Sequence, residues 1–181
     1  MKTITLVGTL HGGLTPKNEL EEVLEGLKPD QLFVELTPNE LKEIENTKSI
    51  RDEMIFALRW AKKNGIKVDI FDRNEGELKK GATGKEPAFL KLLEEGDRII
   101  KKYSWKELNK EEPWKTQPLK GIEDKINEMV VDAKKARERE EEMIKNIKEK
   151  MISSGKIVIL TGAGHLTFFE KRIPNAVCLF R

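Results

Sequence analysis

Three short β-prone runs, residues 3–7 (TITLV), 31–36 (QLFVEL) and 66–71 (IKVDIF), are separated by segments in which apolar residues recur at helical spacing. No other feature constrains the fold as strongly. Strands joined through helices need crossover connections, and strands so joined within one sheet lie parallel. Leu20, Val23, Leu24 and Leu27 make one apolar face of a first helix that opens near Pro16 and ends at Lys28-Pro29-Asp30. Pro38 starts a second, and a longer one runs from about residue 50 to 63, closed by Asn64-Gly65.

Later in the chain, residues 157–160 read as a fourth strand, 165–171 as a short helix and 176–180 as a closing strand. The expectation is an α/β fold: a mostly parallel central sheet of about five strands flanked by helices. At 181 residues, one domain spanning 1–181 suffices. Glycines and prolines loosen the pattern between the third strand and residue 120, so residues 74–120 read as a helical insertion, a mobile lid over the carboxyl edge of the sheet. From 122 to 152 the periodicity returns as a single helix of roughly eight turns.

Ligands of open parallel sheets bind beyond the carboxyl ends of the strands, and this chain concentrates its polar chemistry there. Its two histidines, His11 and His165, both follow an apolar run and a glycine, in GTLH and GAGH. Gly8 and Gly162, lacking Cβ, are expected to let the backbone turn sharply and another group approach closely. Glu35 sits inside the apolar LFVEL run, where a charge needs a partner; the alternative is a strand carboxylate bridged to a lysine. Asp72 and Arg73 follow the third strand, as site residues or as a turn with a surface ion pair.

On the long helix, the stripe Ile126, Met129, Val130, Ala133, Ala136, Met143, Ile144, Ile147 and Met151 has Glu140 at its centre and Arg139 on its flank. These two are expected to carry polar groups into the same site. The remainder of the 134–142 charge run reads as a solvated face.

Composition removes several classes of function. Lys+Arg 34 against Asp+Glu 32 leaves no basic excess for nucleic acid. The one cysteine, Cys178, can form no internal disulfide and reads as an apolar filler, which favours a cytoplasmic protein. No stretch approaches the ~20 apolar residues of a membrane span. The Lys/Glu bias, with Gln31 and Gln117 the only glutamines, fits a heat-adapted source. The phosphate-binding loop, the dinucleotide fingerprint, GxSxG and HExxH are all missing.

GTLH, FVEL, FDR, ER followed by Met143, and GAGH, in that order from His11 to His165, resemble the TraB/PrgY family, of the wider group that includes Tiki proteins, GumN, ChaN and the erythromycin esterases. The chain departs from the family in carrying Glu140 where Asp or Asn is expected after the arginine. It also lacks the C-terminal membrane spans common in TraB-like chains.

The resemblance implies a parallel α/β sheet and a site of His11, Glu35, Arg139 and His165, with Asp72 and Arg73 matching the Asp-Arg after the third strand. Tiki-like members are described as metal-dependent peptidases, TraB/PrgY members as factors that curb peptide pheromone signalling, and ChaN as a haem-iron binder. The leading expectation is therefore a metal-dependent hydrolase acting on peptides. His11, His165 and Glu35 would bind a divalent Mn, Co or Zn ion, with Glu35 as third ligand or general base, Arg139 as oxyanion stabiliser and Asp72 orienting a histidine. The rival is a regulatory module that binds a peptide or small ligand without turnover, and metal-free acid/base chemistry is a third reading. A homo-oligomer is left open.

Overall fold

The computed structural model describes residues 1–43, 52–74, 79–80, 86–110 and 112–181. Its five strands, β1 (Lys2–Thr9), β2 (Gln31–Val34), β3 (Lys67–Ile70), β4 (Gly155–Gly162) and β5 (Ala176–Cys178), form one sheet in the order β3-β2-β4-β1-β5. Every pairing is parallel. The α/β fold anticipated from the alternating pattern is what the chain forms.

Strand alternation explains the two cores. Leu32 and Val34 of β2, with Val158 and Leu160 of β4, face a layer containing Leu20 and Leu24 of α1 (Lys17–Leu27) and Met54, Ala57 and Leu58 of α3 (Asp52–Lys63). Phe33, Ile157 and Ile159 face the other way, onto Met143, Ile144 and Ile147 of α7 (Ala133–Lys150) and Phe169 of α8 (Leu166–Arg172). Cys178 lies buried in this second layer.

The chain leaves β2 through α2 (Pro38–Glu43) and α3 toward β3 at one edge, and leaves β4 through α8 toward β5 at the other. Adjacent strands whose exits diverge open a crevice at their carboxyl ends. Glu35 and Gly162 sit there.

Local chemistry sets the helix ends. Gly65, at φ 68°, caps α3: its amide reaches Lys62 O while that of Ile66 reaches Ala61 O. The single helix expected over 122–152 is two helices, α6 (Leu119–Val130) and α7. Val131 and Asp132 are extended between them, and the Asp132 carboxylate accepts hydrogen bonds from the amides of Lys134 and Lys135 as an N-cap. The apolar stripe spans the break, so periodicity alone hid it.

Part of the insertion packs into the fold. Its α4 (Pro87–Ile100) packs on α6, Gly96 lying against Ile122, and the short α5 (Glu112–Lys115) precedes α6. Between them Trp105, Leu108 and Asn109 are buried in the body of the fold. The Asn109 side chain accepts from the amide of Gly8 at 2.7 Å and donates to its carbonyl at 2.8 Å. Trp105 packs edge-on against Phe180 and donates to Glu19. That stretch is therefore tied to the carboxyl end of β1. The parts of the expected lid at 75–78, 81–85 and 111 lie outside the described residues.

Candidate functional site

Parallel pairing brings four strand ends to one edge, and Glu35, just past β2, lies at their centre. It is 1% exposed. Its Oε2 accepts from the Thr161 hydroxyl at 2.6 Å and the Gly162 amide at 2.7 Å, both from the end of β4. Its Oε1 accepts from Arg139 Nη2 at 3.1 Å. Arg139 also grips Asp72 two-pronged, Nε to Oδ1 at 2.9 Å and Nη2 to Oδ2 at 2.7 Å. Glu35 is thus paired with this buried guanidinium.

The two histidines flank this carboxylate, each backed by another. His11 Nδ1 lies 2.5 Å from Glu53 Oε1, and His165 Nδ1 lies 2.9 Å from Glu140 Oε1. A carboxylate accepts only, so in each neutral ring Nδ1 carries the proton and Nε2 the lone pair. His165 Nε2 is 3.8 Å from Glu35 Oε1. A Cβ built on Gly162 would stand 3.6 Å from Glu35 Oε2, 3.7 Å from His11 Nε2 and 3.8 Å from His165 Cδ2. Both histidines thus border one gap over Gly162. A cleft of about 800 Å³ opens beside His165, walled by Asn127, Ala136, Arg137 and Glu140.

Several sequence expectations change in detail. Gly8 lies within β1 and Gly162 is the last residue of β4, and the left-handed turn falls at Gly12 and Gly13, φ 72° and 82°. Close approach is the role of Gly8, where a Cβ would meet Leu166 Cδ1 at 2.6 Å, Asn109 Oδ1 at 2.7 Å and the Ala163 backbone at 3.1 Å. Asp72 orients Arg139, which bonds both of its carboxylate oxygens. Arg73 stays out of the site, bonding Glu142 and the carbonyl of Lys135 on the flank of α7. Arg139 is the more buried of the α7 pair and Glu140 the more exposed, the reverse of the stripe reading, because Arg139 lies against the β2 and β3 ends while Glu140 borders the cleft.

Glu53 and Thr161 escaped the sequence reading. Glu53 did leave a signal: it shares a helical face with Ala57 and Trp60, four and seven residues on, a charge within an apolar stripe.

Two substitutions separate space from packing. Gly162→Ala makes only ordinary contacts, so it is expected to fold with stability within about 1 kcal/mol of wild type while filling the gap between the imidazoles. Gly8→Ala has no room and is expected to lose roughly 1–3 kcal/mol. Denaturant unfolding of the two proteins measures the contrast.

For His165, burial opposes the charge. The hydrogen bond to Glu140 and the negative charges of Glu35 and Glu140 prevail over burial and Arg139, and hold its pKa above the ordinary 6.5. A group raised in the folded state stabilises fully below its unfolded value, and that contribution fades as pH rises through the folded one. In metal-free protein the His165 ring should therefore titrate above 6.5 by NMR. A midpoint at or below that value would contradict the geometry.

Among the described residues no group of three His, Cys, Asp or Glu side chains stands ready to enclose a metal ion. The oxygens of Glu35 are engaged by Arg139, Thr161 and Gly162. The histidines nonetheless suit one: a ligating imidazole characteristically donates its other N–H to a carboxylate, and Glu53 and Glu140 stand in that position. Glu35, Glu53, Asp72 and Glu140 also outnumber Arg139 in charge. Were an ion present, His11 and His165 would hold it through Nε2, and Glu35 Oε1, which accepts from Arg139, would border it.

Fold and site together define a parallel α/β protein with a histidine–carboxylate cleft at the topological switch of its sheet. No protein-family model matches the sequence, and no curated protein or solved structure is similar enough to identify a relative. No described helix is long and apolar enough to cross a membrane.

Proposed function

We propose that this cleft is the active site of a metal-dependent hydrolase of TraB/PrgY type, acting on peptides. One observation carries the reading: both imidazoles are backed by a carboxylate at Nδ1 and border the same gap beside Glu35. The peptide substrate rests on the resemblance of the GxxH, Glu and Arg motifs. A cytoplasmic location belongs to the same reading and rests on the single cysteine.

His11 and His165 would hold the ion through Nε2. When bound, a Zn, Mn or Co ion supplies Lewis acidity and lowers the pKa of its water toward ~7. Glu35 takes the proton from the attacking water and returns it to the leaving amine. Arg139 holds the Glu35 carboxylate in place and leaves a positive charge beside the reacting carbonyl. The cleft next to His165 has the volume to receive the flanking residues of a peptide.

The engagement of Glu35 by Arg139, Thr161 and Gly162 favours a second reading, a module that binds a peptide without turning it over. A peptide-library cleavage assay with each metal separates them. Turnover that Glu35→Gln abolishes supports the hydrolase, saturable binding with no turnover under any metal supports the module, and activity that survives strong chelator points to metal-free chemistry.

A further inference from the structure

We propose that Glu53 is the positioning residue of His11, fixing its tautomer so that the Nε2 lone pair faces the gap over Gly162. Glu53 belongs to the first turn of α3, on the opposite side of the sheet from Glu140 and α7. It is 1% exposed, as deeply buried as Glu35. Its Oε1 lies 2.5 Å from His11 Nδ1 and 3.4 Å from the Thr9 hydroxyl. Its Oε2 is buried without a hydrogen-bond partner among the described residues.

A carboxylate held this way is poor for stability, because burying a charge with one oxygen unpaired costs more than the bond to His11 and the long one from Thr9 return. An apolar side chain of similar length would suit the surroundings better, since Met54, Ala57 and Leu58 beside it are all buried. What the carboxylate does provide is direction. A free neutral imidazole favours the proton on Nε2; an acceptor at Nδ1 reverses that preference and turns the lone pair inward. The His165–Glu140 pair has the same arrangement at the other GxxH, so the site is built from two carboxylate-imidazole units, one from each face of the sheet. In the unit on α3 the carboxylate is the buried partner, Glu53 being 1% exposed against 21% for Glu140.

The inference rests on the hydrolase reading for its purpose but not for its measurement. Long-range nitrogen–proton NMR of the metal-free full chain, at a pH that leaves His11 neutral, reads the tautomer with neither metal nor substrate. Wild type should show His11 protonated at Nδ1, with the deshielded proton of a short hydrogen bond. Glu53→Met should shift His11 predominantly to the Nε2–H form while leaving the melting temperature equal or higher. Zinc affinity should fall about 10–100-fold in the same variant.

An Nε2–H form of His11 in wild type, or an Nδ1–H form that persists in Glu53→Met, overturns the proposal. The wild-type spectrum decides it should Glu53→Met fail to fold. A tautomer that switches as expected in a protein with no turnover under any metal upholds Glu53 and removes the hydrolase reading, so the two failures are distinguishable.

Discussion

Replacing Arg139 with alanine should lower unfolding stability by about 3–5 kcal/mol, the largest loss expected from a single polar substitution in this chain. The guanidinium is the ion-pair partner of Asp72 and Glu35, whose side chains are 1% and 2% exposed. Removing it takes a guanidinium away from two buried carboxylates, which keep the neutral donors Thr161, Gly162 and the Arg73 amide. Since a domain is stable by only about 5–15 kcal/mol, such a loss is visible in any denaturant melt. The triple variant Arg139→Met/Asp72→Asn/Glu35→Gln should recover a large part of it, because the penalty comes from stranded charge more than from lost packing. A loss below about 1 kcal/mol in Arg139→Ala would mean that the cluster is far better hydrated than its burial implies.

Glu35→Gln carries the largest expected effect on turnover, a fall of about 10²–10⁴-fold if the carboxylate moves the proton. The structure also predicts a cost to stability. Three donors converge on Glu35, from Arg139, Thr161 and Gly162. An amide has one oxygen: turned toward Gly162 it confronts Arg139 with an NH₂, and turned toward Arg139 it confronts the Gly162 amide. Either way a buried donor goes unpaired, at about 1–3 kcal/mol. Kinetics compared at temperatures well below both melting transitions separate the two effects.

The sheet was legible because its information is local. Each strand is a short apolar run, each crossover carries its own stripe and cap, and the order alone makes the strands parallel. With the strands parallel, His11, Glu35, Asp72 and His165 had to reach one edge. What failed was whatever depends on the next layer. Glu53 and Glu140 both back histidines, but they come from α3 and α7, and only tertiary packing selects which carboxylate meets which ring. Arg73 stands next to Asp72 yet points to the flank of α7. The break before α7 was marked by Asp132, a good N-cap, but an apolar stripe in phase on both sides masked it.

The central claim is that the two GxxH histidines bind one metal ion. Protein stripped with chelator and titrated calorimetrically with Mn, Co and Zn should show a single site of micromolar or tighter affinity, weakened by Gly162→Ala and abolished in His11→Ala/His165→Ala. No such site for any of the three metals, or one that survives in the double variant, would contradict it.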